Sequence, residues 1–361
     1  MQTIPAPPAG PQAGPSLRDP PEPDTIVILI PVFNDWDAVA QLLRLIDDVV
    51  AKMDTPFQVL LVDDGSITPP GGELLEIELT AVRRLEILHL RCNLSHQRAI
   101  AIGLTVVEQQ ITARAVLVMD GDGEDAPSDI PKLVEQMTQE NDQKVVFAAR
   151  TKRSESLTFR AYYLVYSFLH KVISGISVRV GNFSIVPYRQ LRRLVVVSDL
   201  WNHYAAAVFK SRVPYTMVST VRSQRLAGKS RMNFVSLTVH GLSAMAVHGE
   251  VIGVRMLVAT LMLCMLAFAA AVVILAVRLG TELAVPVWAS DISLSLLLVI
   301  LQLVMLAVVF TFFVLNSRAA ATVIPLRDYP YFVDEIRRIL PKPTTPRDAE
   351  GDAPTTASTF T

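Results

Sequence analysis

The chain has 361 residues, a formal net charge of −1 and 51% hydrophobic side chains. Near neutrality excludes a global attraction for nucleic acid, so any phosphate recognition must come from local clusters. The two cysteines, Cys92 and Cys264, have no metal-ligand spacing and form no disulfide framework, which fits a reducing compartment.

Residues 1–24 are rich in proline and lack the basic-then-apolar order of a signal peptide. They are expected to be a disordered tail, with the first domain in the cytoplasm. From 25 to 150 short apolar runs alternate with helical spacing. Strands are predicted over 25–32, 58–62, 85–90, 115–119 and 144–149, and helices over 39–53, 96–109 and 130–139. This order indicates βαβ units and a mostly parallel sheet flanked by helices. Ligands of such sheets bind beyond the carboxyl ends of the strands. Asn34, Asp63, Asp64, Asp120, Asp122 and Arg150 all fall at such ends.

Two later stretches, 157–176 and 233–248, are amphipathic and read either as membrane-interface helices or as core-packing helices. Residues 256–277 and 293–315 contain no charged side chain. As helices each is roughly 33 Å long, against a hydrocarbon core of about 30 Å, so a pair of transmembrane helices is expected. Lys and Arg are denser outside this pair than in its connecting loop, which predicts both ends in the cytoplasm. The expected division is a tail over 1–24, a catalytic domain over 25–231, a juxtamembrane helix over 232–250 and a membrane hairpin over 251–318. A cytoplasmic segment over 319–340 and a second tail over 341–361 complete it.

Three motifs bear chemistry. Asp120-Gly-Asp-Gly-Glu-Asp125 follows an apolar strand and offers carboxylates at alternating positions. Magnesium and manganese favour such hard oxygen ligands together with substrate phosphates. A calcium loop is excluded because its sixth residue is Asp125 rather than glycine, and no phosphate-binding Gly-Lys-Ser/Thr loop precedes the motif. An acidic surface turn remains open. Asp63-Asp-Gly-Ser66 can accept hydrogen bonds from a base and a ribose, or be a simple turn. Arg225-Leu-Ala-Gly-Lys-Ser-Arg231 has the cations and hydroxyl of a phosphate cradle, or merely orients the membrane helices. Arg150, Lys152 and Arg153 form a second basic cluster with the same two readings. His96 and His203 stand alone and read as structural.

In order along the chain, Ile30-Pro-Val-Phe-Asn34, Val62-Asp-Asp-Gly-Ser66, Asn93 to Ala99, the Asp120 loop, Ala149-Arg150, Val180-Gly-Asn-Phe-Ser184 and the Arg225 segment resemble the motifs of family 2 glycosyltransferases. Within that family the resemblance is to polyprenyl-phosphate sugar transferases similar to dolichol-phosphate mannose synthase, and it covers about residues 25–335. It implies a GT-A fold and inverting transfer of a sugar from a nucleotide-sugar to a polyprenyl phosphate at the bilayer, in the chemistry of the cell envelope. Pro31, Phe33, Asn34, Asp63, Asp64, Ser66, Asn93 and Asp120 would then line the nucleotide. Asp120, Asp122 and Glu124 would hold Mg or Mn. Asp122 and Arg150 would serve catalysis, and Arg225, Lys229, Ser230 and Arg231 the lipid phosphate. Homo-oligomerisation is left open.

The chain departs from the family pattern at Cys92, Ser95, Ala148–Ala149, Glu124 and Asn182. Asn182 stands where the family often has Asp, and an amide cannot act as a general base. A lipid monophosphate, whose second pKa is about 6 by analogy with phosphoserine, needs none. An acceptor hydroxyl would need one, with Asp125 as the candidate. The alternatives are transfer to a glycan or other lipid, and a non-catalytic membrane scaffold.

Overall fold

The computed structural model describes residues 24–150, 180–221, 223–227, 243, 247–280, 287–319 and 323–341. The chain divides into two compact units, one around the sheet and one around the long apolar helices.

The first unit is built on eight strands: β1 (Ile26–Val32), β2 (Phe57–Asp63), β3 (Val82–Leu90), β4 (Ala115–Val118), β5 (Val145–Arg150), β6 (Val180–Pro187), β7 (Tyr215–Thr220) and β8 (Val333–Leu340). Their order across the sheet is β7-β5-β6-β4-β1-β2-β3-β8. The central run β4-β1-β2-β3 is parallel, as the alternation of elements predicts. β1 is buried along its whole length, and successive side chains feed opposite faces. Ile26, Ile28 and Ile30 enter one core with α1 (Trp36–Val50), while Val27 and Leu29 enter the other with α3 (His96–Gln110). Among the described residues the remaining α-helices of this unit are α2 (Gly72–Leu75), α4 (Ile130–Gln139), α5 (Tyr188–Leu194), α6 (Tyr204–Lys210) and α9 (Pro325–Asp328).

Two strands depart from the expected pattern. β6 inserts antiparallel between β4 and β5, so the sheet is mixed. β8 pairs antiparallel with β3, so the segment expected as a separate cytoplasmic stretch over 319–340 contributes the outermost strand of the sheet. Its sequence, Val-Asp-Glu-Ile-Arg-Arg-Ile-Leu, has the charge of an edge strand and no continuous apolar run. Arg338 on β8 reaches the buried Glu86 of β3 at 3.5 Å, and Arg84 lies 3.7 Å from the same carboxylate.

In the second unit α7 (Gly249–Gly280) and α8 (Val287–Ala319) pack against each other. The 23-residue stretch Val251–Val273 is long and apolar enough to cross a membrane, and most of its described side chains are exposed. In α8 the described apolar stretch is the shorter Leu297–Phe312. The stretch 157–176, nearly all of 233–248 and all but one residue of each expected tail lie outside the described residues.

Candidate active site

β1, β2 and β4 are neighbours and parallel, so their carboxyl ends open on the same edge of the sheet. Asp63 is the last residue of β2 and is 6% exposed, and Asp64 follows at 3%. Asp63 Oδ1 accepts the Ser66 N–H at 2.9 Å, and Oδ2 lies 2.9 Å from His89 Nδ1. His89 sits directly opposite Asp63 in the β2–β3 register. Burial pushes the Asp63 carboxyl up, but the hydrogen bonds from His89 and Ser66 outweigh it and hold the group below its ordinary value. Asp64 Oδ1 accepts the Leu94 N–H at 2.6 Å. There burial dominates, and the carboxyl is pushed up to about 6.

The turn between them and Asn93 depends on Gly65. Its φ is +67°, and an added Cβ would lie 2.7 Å from Asn93 N and 2.8 Å from the Cys92 carbonyl carbon. Asn93 donates from Nδ2 to the Asp64 carbonyl at 3.0 Å. Asn34, also at positive φ, fixes the outer edge. Its N–H donates to Ser66 Oγ at 2.9 Å, and its Oδ1 accepts from Ile67 N, Thr68 N and Thr68 Oγ1 at 2.8–3.0 Å. Pro31 is buried within β1, and Phe33 is half-buried at its end.

The second acidic corner follows β4. Asp125, 3% exposed, closes the loop by accepting the Asp120 N–H at 3.0 Å. This internal bond makes Asp125 a loop staple, against its candidacy as a base. Asp122 Oδ1 accepts the Glu124 N–H at 3.0 Å, and Asp122 Oδ2 accepts Nη1 of Arg225 at 3.0 Å. Burial, with Asp120 and Glu124 nearby, raises Asp122 above the ordinary carboxylate range in spite of that arginine. The second arm of Arg225, Nη2, donates to Asp35 Oδ2 at 3.0 Å. Arg225, expected at a lipid phosphate, is thus seated on the acidic loop. Lys229, Ser230 and Arg231 lie outside the described residues. Arg150 ends β5 opposite Thr220 of β7, and its side chain also lies outside them.

Four further residues join the site without having been singled out for it. Asp35 is the partner of Arg225. His89 buttresses Asp63. His96 Nε2 lies 3.1 Å from Asp120 Oδ1 and 2.9 Å from Asn182 Nδ2. Gln97 takes the Tyr204 N–H on Oε1 at 2.8 Å and donates from Nε2 to Asn182 Oδ1 at 3.1 Å. The backbone N–H can only donate, so this chain fixes the polarity of both amides and turns the Asn182 NH2 toward Asp120, 3.4 Å away. Asp35 carries the same signal as its neighbours, a polar residue just past a strand, whereas His96 opens α3. His203, by contrast, caps α6, its side chain accepting the Ala206 N–H.

Among the described residues no three His, Cys, Asp or Glu side chains already converge as a metal site. Asp120 and Asp122 supply hard oxygen donors on one turn. That suits a magnesium-like cation, which completes its shell with water and substrate phosphate.

Residues 27–201 match the model described as Glycosyl transferase family 2. An undecaprenyl-phosphate 4-deoxy-4-formamido-L-arabinose transferase of Klebsiella pneumoniae (strain 342) is 29% identical over 132 residues, covering 37% of this chain and 38% of that protein. A protein of the same name from Edwardsiella ictaluri is 25% identical over 286 residues, covering 74% of this chain and 80% of its own. The alignment with the Klebsiella protein therefore spans less than two-fifths of that relative's length. Among solved structures, glucosyl-3-phosphoglycerate synthase from Mycobacterium tuberculosis, in complex with Mn2+, UDP-glucose and phosphoglyceric acid, superposes with a TM-score of 0.47 at 14% identity, over 64% of this chain and 80% of that one. The match to that family model thus covers residues 27–201, just under half of the chain.

Proposed function

We propose that the chain is a membrane-bound, inverting glycosyltransferase that moves a sugar from a nucleotide-sugar to a polyprenyl phosphate, with Mg or Mn held by Asp120 and Asp122. The observation that carries it is the Arg225 guanidinium seated on Asp122 in the acidic loop beyond β4, a loop that lies within the family 2 match. The relatives named as undecaprenyl-phosphate sugar transferases support the acceptor class.

Asp63, Asp64, Ser66 and Asn93 form the nucleotide end, a rigid turn whose carboxylates face the base and ribose. A cation bound at Asp120 and Asp122 supplies charge neutralisation for the departing nucleoside diphosphate. Gln97 and Asn182 hold Asp120 from behind with an amide N–H, and Asp125 holds its backbone. With Asn182 in that place and Asp125 committed to the loop, a phosphate acceptor that is already anionic fits better than a hydroxyl that must lose a proton. The chain then contributes alignment and leaving-group stabilisation rather than a base. Arg150, Glu124, Lys229, Ser230 and Arg231 keep their expected roles in this proposal. So does a membrane hairpin of α7 and α8, with the catalytic unit and both termini on the cytoplasmic side. Val251–Val273 supports the first span.

Membranes containing the chain, a panel of radiolabelled nucleotide-sugars, Mg or Mn and polyprenyl phosphate provide the test. Label should enter the organic extract only with metal present. Nucleotide-sugar binding without lipid label would overturn the acceptor, and no binding at all would overturn the enzyme.

A further inference from the structure

The segment 223–227 lies across the Asp120 loop like a strap. Ser223 N donates to the Glu124 carbonyl at 2.9 Å and Leu226 N to the Asp122 carbonyl at 3.0 Å. The Leu226 side chain covers Gly123, which has a φ of +83° and no room for a Cβ beside Leu226 Cδ1. Between these anchors the Arg225 guanidinium is fully directed. Nε donates to the Ala227 carbonyl at 2.9 Å, Nη1 to Asp122 and Nη2 to Asp35. Arg225 is therefore a positive charge that the acidic loop already has.

A divalent cation on Asp122 Oδ2 would stand about 5 Å or less from that guanidinium and repel it. Asp35 lies on the loop after β1, outside the Asp120 loop, and gives the guanidinium a second anchor. Resting on the assignment of Asp122 to the metal, we propose that Asp35 is a positioning residue. It holds Arg225 across Asp122 in the metal-free chain. The arriving cation takes the place of Nη1 on Asp122, and Arg225 stays tethered through Nη2 to Asp35. The released Nη1 then faces the incoming charge as a donor for an anionic phosphate oxygen.

The test titrates Mn2+ alone into the full chain in detergent micelles, with free Mn2+ read by electron paramagnetic resonance. Arg225→Gln is expected to tighten Mn2+ about tenfold and Asp35→Asn about threefold, since each removes part of the competition for Asp122. The double variant should bind no tighter than Arg225→Gln alone, because Asp35 acts through Arg225. Arg225→Lys keeps the charge but cannot bridge two carboxylates as a planar fork does, and should fall between wild type and Arg225→Gln. A merely structural Asp35 would lower the thermal midpoint and leave Mn2+ affinity alone. Unchanged or weaker Mn2+ binding in Arg225→Gln and Asp35→Asn overturns the proposal. Asp122→Asn separates the two possible failures. If it abolishes Mn2+ binding while Arg225→Gln brings no gain, displacement falls and the metal assignment stands. If it binds Mn2+ like wild type, both fall.

Discussion

Asp63 and Asp64 close β2, Asp120 and Asp122 follow β4, and the two pairs stand on either side of β1. The chain satisfies them by opposite means. The first pair is held by near neighbours: Ser66, Leu94 and the register partner His89. These bonds form with the sheet and have no rival. The second pair keeps an excess of negative charge, with Asp122 raised above its ordinary value, and draws its counter-charge from Arg225, 103 residues further along. A corner closed by local bonds is a rigid template. A corner closed by a distant arginine can exchange one cation for another.

The largest effect is expected where exchange is lost. Asp122→Ala should lower sugar transfer to lipid by about 10²- to 10³-fold, measured by label in the organic extract. Its thermal midpoint should stay close to wild type, because the bonds lost to Glu124 and Arg225 are part-buried and burial already disfavours the Asp122 charge. A large fall in stability with transfer preserved would reverse the contrast between the corners.

Next comes Asp64. Its carboxyl stays protonated in the folded chain up to about pH 6, whereas the ordinary value is 3.8. The folded state binds the extra proton between those limits, so stability falls as pH rises through them and stays lower above. Asp64→Asn removes this cost while still accepting the Leu94 N–H. It should gain up to about 3 kcal/mol at about pH 8 and nothing near pH 4, at the expense of nucleotide affinity. Denaturant midpoints at the two pH values, with calorimetry of nucleotide binding, check both halves.

Asp63 is shifted the other way and should behave so. Asp63→Ala is expected to cost about 2 kcal/mol near neutrality, through the lost bonds to Ser66 and His89. A depressed carboxyl contributes stability above its unfolded pKa and loses it as pH falls through the folded one. The penalty should therefore shrink as pH drops below the ordinary carboxylate range. Chemical unfolding across acid pH would show it, and a penalty that grew on acidification would break the assignment of Asp63 as the ionised member of its pair.

How far these corners could be read from sequence follows from the same distinction. The central strands were legible because burial on both faces makes them continuous apolar runs, and Asp63-Asp64 and Asp120-Gly-Asp122 announce themselves at the ends of such runs. In sequence β6 reads as a motif rather than a strand, because Gly181, Asn182 and Ser184 interrupt its apolar pattern. β8 hid behind edge charge. His89 and Gln97 looked like ordinary strand and helix residues, since their partners are fixed only by strand register and by the approach of α6. Arg225 was recognisable as a phosphate-type cation, but its seat on Asp122 and Asp35 depends on where a loop 103 residues away crosses the sheet edge. Local periodicity does not encode that.

The smallest predicted effect gives the finest test of the separation. Ser66 Oγ accepts the Asn34 N–H, but Asn34 keeps Ile67 and Thr68 on its Oδ1, so Ser66→Ala removes one bond of a larger clamp together with the hydroxyl's support of the Asp63 carboxylate. The bond is only part-buried, and water can take over the exposed amide, so the cost should be about 1 kcal/mol or less. Nucleotide affinity should drop by about threefold, as the turn bearing Asp63 and Asp64 loosens. Mn2+ affinity, read as above, should not move, because none of the lost contacts reaches the Asp120 loop. A shift in Mn2+ binding in Ser66→Ala would mean that the rigid corner and the exchangeable corner are coupled through the end of β1. Asn34 and Asp35 are adjacent there, which makes them the residues through which such coupling would have to pass.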